Sequence, residues 1–160
     1  MDIEITWRTP IKLESAPQES NQDFIIHESD AKRVPDAPGV YVFARKHGKK
    51  YEPIYIGQAD NLKLRLAQHL KTNLALIKAL RFAKAGAKVV LVAEIATKQG
   101  QQIDRVLNIV EPALIADAVA AGYTLLNKQL TSATFHKITS KGPPEARGPF
   151  DPSYNVPVAK

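Results

Sequence analysis

The sequence predicts an α+β fold: a small, mainly antiparallel sheet of about three central strands flanked by helices, with room for an extra N-terminal strand. Three observations carry this. Residues 40–45 and 54–56 are rich in β-branched and aromatic side chains and flank a Lys/Gly turn around Gly48, which is the pattern of a hairpin. Residues 89–95 form a near-continuous apolar run, as a central strand requires. Leu62, Leu66 and Leu70 recur at i, i+4 and i+8, one stripe of a helix.

Composition bounds the rest. With 160 residues and 44% hydrophobic content the chain can build one core with extensions around it. It has no cysteine, which excludes a disulfide framework and a cysteine-ligated zinc site. The N-terminus lacks the basic-then-apolar plan of a secretory signal, and no apolar run is long enough for a membrane span. The expectation is a soluble, cytoplasmic protein without a membrane partner. A net charge of +6 and a pI near 9.5 suit a polyanionic partner.

In chain order, residues 2–7 alternate Ile3 and Ile5 with Glu4 and Thr6 and read as a short strand. Residues 15–23 are polar and read as loop, and residues 24–26 read as another strand or an edge element. Pro35 and Pro38 punctuate the approach to Gly39. A hairpin symmetric about Gly48 sets Tyr41 directly opposite Tyr55, so that the two phenols share a face. Gly57 ends the second strand, and Asp60 is the expected cap of the helix that follows. On that helix Arg65 and His69 flank the leucine stripe. Residues 74–85 read as a second helix, closed by Gly86. Ile103, Val106, Leu107, Val110 and Leu114 then mark one face of a longer helix with Glu111 beside it. Pro112 implies either a kink or the start of a new helix there. From Thr139 the composition shifts to Lys, Gly, Pro and Ser, the mark of a tail that is flexible or lies along the surface.

Taken singly, each polar residue here has an ordinary structural reading. Strand tyrosines pack, an Arg beside a leucine stripe snorkels, and a lone His fills space. A Glu on a helix flank is solvated, and an Asn after two leucines ends a turn.

Taken together, in order, they resemble the GIY-YIG nuclease family. Gly39-Val40-Tyr41 matches its first motif with Val in place of Ile, and Tyr55-Ile56-Gly57 matches its second. Asn61-Leu62, Arg65 and His69 match the helix after it. Glu111 with Leu114-Ile115 matches the acidic helix, and Asn127 the terminal Asn. The resemblance covers residues 35–129. One departure is Pro112 directly after the acidic residue. The implied organisation is an N-terminal extension over 1–34, a GIY-YIG-like nuclease domain over 35–130 and a flexible C-terminal extension over 131–160.

The resemblance implies a metal-dependent endonuclease that hydrolyses phosphodiester bonds in DNA, with RNA left open. Tyr41 is then the general base, Tyr55 orients water or phosphate, and His69 relays protons or supports Tyr41. Glu111 holds one Mg²⁺ or Mn²⁺, Asn127 steadies the metal side, and Gly39 and Gly57 are structural. The chemistry agrees: Arg65 offers a permanently charged fork for a phosphate, and a carboxylate is a hard ligand for Mg²⁺. A phenol, with a pKa of about 10, needs nearby cations to act as a base. Lys46, Lys49, Lys50, Lys63 and Lys71 are expected around the site as DNA contacts. The alternatives are a non-catalytic nucleic-acid-binding module on the same fold, and a protein-interaction scaffold whose basic pI is incidental.

Overall fold

The computed structural model describes residues 1–127 and 133–159. Chain order gives β1 (Asp2–Trp7), β2 (Ile11–Ser15), β3 (Phe24–Ile26) and the short α1 (Glu28–Ala31). The hairpin β4 (Gly39–His47) and β5 (Lys50–Ala59) follows, then α2 (Leu62–Thr72), α3 (Leu74–Phe82) and β6 (Ala87–Ile95). The long α4 (Ile103–Ala120) leads to β7 (Ala133–Lys141), α5 (Pro144–Arg147) and β8 (Ser153–Ala159).

β4 is the centre. It pairs antiparallel with β5 on one edge and with β6 on the other. Side chains alternate across a strand, so Val40, Val42 and Ala44 pack towards α4 while Tyr41 and Phe43 join the leucines of α2 and α3. β6 divides in the same way: Leu91 and Ala93 join the first core, Val90 and Val92 the second. Both faces are covered, which is why residues 89–95 are apolar without alternation.

The sheet is larger than three strands. The far edge of β6 is shared by β1, paired at Ala93–Ile95, and by β2, paired at Val89 and Val90. β3 continues from β2, while β1 carries β7 and then β8. The β1–β7 pair is parallel, so among the described residues the eight strands form one mixed sheet. β2 was not expected, because its alternation of Ile11 and Leu13 with Lys12 and Glu14 spans only five residues.

The C-terminal extension departs from the expected flexible tail. β7 and β8 pair antiparallel over Ala133–Thr139 and Ser153–Ala159. Between them Ala146 and Phe150 are buried, and Phe150 stacks on Trp7 at 5.8 Å with rings 7° from parallel. A polar average conceals these few apolar anchors; burying one such ring is worth roughly 1.5–3 kcal/mol.

Three boundaries also shift. The cap of α2 is Asn61, whose side chain accepts from the Leu64 N–H, and not Asp60. The helix expected over 74–85 ends at Phe82. α4 runs unbroken through Pro112, whose missing N–H removes one internal hydrogen bond while the apolar stripe on either side stays buried.

Candidate active site

The tyrosines meet through a different register from the symmetric one. Tyr41 stands opposite Gly57 and Tyr55 opposite Phe43, with a bulge between Phe43 and Ala44. The hairpin is centred between Gly48 and Lys49, since His47 pairs with Lys50, and the bulge, which inserts an extra residue, shifts the pairing beyond it by one more. The phenols remain on one face as a diagonal pair. Their rings stack at 6.3 Å and 15°, within the reach of diagonal cross-strand neighbours.

This register explains both motif glycines. A Cβ on Gly57 would lie 2.4 Å from the Tyr41 hydroxyl oxygen, because the Tyr41 ring crosses directly over that position. A Cβ on Gly39 would lie 2.1 Å from the Ala93 carbonyl oxygen on β6 and 2.7 Å from Leu62 on α2. Neither position leaves room for any side chain.

α2 supplies the next two groups. Its buried stripe of Leu62, Leu66 and Leu70 fixes the rotation of the helix, which brings His69 over the tyrosines and leaves Arg65 exposed beside them. His69 Nε2 lies 2.6 Å from Tyr41 Oη. Its ring centroid is 5.4 Å from each tyrosine ring. On the other side, Asn73 Nδ2 lies 2.9 Å from His69 Nδ1. Asn73 is the α2–α3 junction, and the sequence reading passed over it. Its signal was an Asn four residues after the His, at the start of a new apolar helical stretch.

Glu111 reaches the group from α4, and its charge acts on both tyrosines. Among the described residues no side chain hydrogen-bonds or ion-pairs with it, and no set of three metal-ligating His, Cys, Asp or Glu side chains occurs.

Burial sets the electrostatics. It pushes the Tyr41 hydroxyl far above the ordinary phenol range, with Tyr55 and Glu111 adding to the rise and Arg65 opposing it. Tyr55 is raised by burial and by Glu111, while Arg65 and the Tyr41 hydroxyl pull the other way. His69 is held below its ordinary value by burial and by Arg65. The Glu111 carboxyl is raised by burial. A half-buried carboxylate without a cationic partner fits a hard divalent ion that keeps most of its waters, since Mg²⁺ takes one or two carboxylates.

Asn127 is engaged with the backbone of β5. Its amide accepts from the Ile56 N–H at 3.2 Å and donates to the Ile56 carbonyl, and the neighbouring Leu126 N–H bonds to the Ile54 carbonyl. Asn127 therefore completes the hydrogen bonding of the free edge of β5 between Tyr55 and Gly57. Next to it, Gln58 donates to Asn108 of α4 at 2.9 Å, a contact the sequence did not signal.

The lysines do not ring this cluster. Lys46, Lys49 and Lys50 are at the hairpin tip beside α5, with Lys46 Nζ 5.4 Å from the Tyr51 ring centre. Lys46 is five strand residues from Tyr41, about 17 Å away at ~3.3 Å per residue. Lys63 and Lys71 project from the opposite flank of α2, about 160° and 120° around the helix from Arg65 at ~100° per residue. They border a groove lined by Ile25, Ile26, Val34, Leu66 and Leu70.

Residues 37–105 match the family model of the GIY-YIG catalytic domain. UvrABC system protein C of Aquifex aeolicus is 52% identical over 46 residues, which is 29% of this chain and 7% of that protein. Its counterpart of the same name in Deinococcus radiodurans is 48% identical over 48 residues, 30% of this chain and 7% of that protein. The similarity thus spans under a tenth of the length of these relatives. No solved structure matches the chain. No helix among the described residues is long and apolar enough to cross a membrane. Glu111 and Asn127 lie beyond the matched residues, and their place beside the tyrosines rests on the geometry above.

Proposed function

Residues 37–105 carry a GIY-YIG catalytic domain, and from that premise we propose that the protein is a divalent-metal-dependent endonuclease acting on DNA. The observation that carries the reading is the convergence of Tyr41, Tyr55, His69 and Glu111, with Arg65 at the rim, from four separate elements. The shortest link is the 2.6 Å contact between Tyr41 and His69.

The roles follow from position. Arg65, exposed and permanently charged, holds the non-bridging oxygens of the scissile phosphate. Glu111 would hold Mg²⁺ or Mn²⁺, and the ion would supply charge stabilisation to the phosphoryl group and the leaving oxygen. Tyr41 acts as phenolate, its own proton released to solvent. Water attacks the phosphorus, the water's proton passes to the Tyr41 oxygen, and the bond to the leaving oxygen breaks, that oxygen taking a proton from solvent. His69 supports Tyr41 from behind, Tyr55 orients the water or the phosphate, and Asn127 holds the β5 backbone that carries Tyr55. The five lysines, set apart from this centre on the hairpin tip and on α2, contact DNA flanking the cleaved bond.

The test is cleavage of duplex, nicked, flapped and branched DNA with Mg²⁺ or Mn²⁺, by wild type and Tyr41→Phe. The variant loses only a hydroxyl and should bind normally, yet cleave roughly 10²–10⁴-fold more slowly, as when a general base is removed. Binding without cleavage by the wild type on every substrate would favour a non-catalytic nucleic-acid-binding module instead.

A further inference from the structure

The link behind His69 has a consequence for which of its nitrogens carries the proton. Asn73 is the N-cap of α3: its side-chain oxygen accepts from the Leu76 N–H at 3.1 Å. A carboxamide has one oxygen and one NH₂ group, so with Oδ1 committed to Leu76 the NH₂ group is what faces His69 Nδ1 at 2.9 Å. An NH₂ group only donates. Nδ1 must therefore be bare and accepting. Burial and Arg65 keep the imidazole neutral near pH 7, which leaves its one proton on Nε2, 2.6 Å from Tyr41 Oη.

We propose that Asn73 is a positioning residue that locks His69 in the Nε2–H tautomer, so that His69 donates a hydrogen bond to Tyr41 and does not accept its proton. The protein thereby joins two tasks in one side chain, capping α3 and setting the proton on His69. The groups facing the imidazole are Tyr41 from β4, Tyr55 from β5 and Arg65 from its own helix. None of them competes for Nδ1. A donor at Tyr41 Oη favours the charged form of the phenol, which is what a tyrosine base needs. That last step rests on the nuclease reading; the tautomer does not.

Asn73→Asp separates the two tasks. Asp is as good an N-cap as Asn, so the bond from Leu76 is kept. A carboxylate cannot donate, however, and would instead accept from Nδ1–H, inverting the tautomer and stabilising the charged ring. The readout is ¹⁵N NMR of the imidazole nitrogens across pH on uniformly labelled protein, with His69 distinguished from His27, His47 and His136 by difference against His69→Gln. In the wild type, Nδ1 should show the unprotonated shift and Nε2 the protonated one. In Asn73→Asp the pattern should reverse and the ring should titrate at higher pH, with the urea midpoint kept. Asn73→Ala should lower the midpoint and leave the two tautomers mixed. Protonated Nδ1 in neutral wild-type His69, or an unchanged spectrum in Asn73→Asp, would overturn the proposal.

Cleavage gives the second arm. With the tautomer inverted, Asn73→Asp should cleave roughly 10–100-fold more slowly, the usual scale for losing an orienting partner behind a site residue. Wild-type cleavage by that variant would overturn the positioning role. Absence of cleavage by the wild type itself would count against the nuclease reading alone, and the NMR result would still decide the tautomer.

Discussion

Gly57→Ala tests the geometry of the site with one methyl group. The new Cβ would stand 2.4 Å from Tyr41 Oη, 2.5 Å from Cζ and 2.9 Å from Cε2. Ordinary van der Waals contact begins near 3.4 Å, so the phenol tip must retreat by about 1 Å. The Tyr41–His69 contact is 2.6 Å, and a displacement of the hydroxyl by about 1 Å takes it out of the geometry of that hydrogen bond. Overpacking of this kind costs about 1–3 kcal/mol, while replacing a strand Gly by Ala recovers about 0.4–1 kcal/mol. The net loss should be roughly 1–2 kcal/mol, read as a lower urea midpoint at unchanged slope. A misplacement of about 1 Å can cost 10²-fold in rate, so cleavage should fall by two orders of magnitude even in the fully folded variant. Stability and cleavage equal to wild type would refute the placement of Tyr41 across Gly57.

Other perturbations address charge. Glu111→Gln should abolish cleavage over a full Mg²⁺ titration while DNA binding holds or tightens, since one repulsive carboxylate is removed; undiminished cleavage would sink the metal assignment. Its urea midpoint should stay level or rise, because burial already penalises the charged carboxyl. His69 has a folded pKa below its ordinary 6.5, so the unfolded chain binds its proton first as pH falls. The stability of the wild type relative to His69→Gln should therefore be greatest above about pH 6.5 and shrink as pH drops towards the folded value; urea midpoints that keep a constant gap from pH 7.5 to 5 would contradict this. For DNA binding, each lysine that touches a phosphate contributes about 0.9 to the slope of log affinity against log salt. Replacing Lys46, Lys49 and Lys50 together should flatten that slope by up to about 2.7, and an unchanged slope would remove the hairpin tip from the interface.

What could be read from the sequence was whatever repeats with a period. Leu62, Leu66 and Leu70 fixed the buried face of α2 and with it the flank that carries Arg65 and His69. The run through β6 and the stripe of α4 were legible for the same reason. What depends on a single irregularity was not. The turn centred between Gly48 and Lys49 and the bulge after Phe43 each shift the pairing by one residue, and together they move the partner of Tyr41 from Tyr55 to Gly57; a diagonal pair keeps the rings together. Phe150 sits in a Pro/Gly-rich stretch whose average polarity hides a ring stacked on Trp7, 143 positions earlier in the chain. The lysines illustrate the same limit differently. Nearness in sequence to Tyr41 or His69 says nothing of side, and both the hairpin's length and the turn of α2 carry them away from the centre.

The pKa displacements of Tyr41 and Glu111 have one cause and a common remedy. Burial keeps Tyr41 protonated and penalises the charge on Glu111, so without added positive charge the cluster favours the neutral phenol and weakens its own carboxylate. Arg65 opposes the rise at Tyr41, but being exposed it is screened by water and salt. A divalent ion beside Glu111 would act from the drier side, where a charge is felt more strongly. It would favour the carboxylate directly and the phenolate by the same field, while the Nε2–H of His69 donates to the phenolate from behind. On this account the burial that disfavours the phenolate in the bare protein is what makes Tyr41 responsive to a cation, and cleavage is expected to require added metal because the cluster is buried.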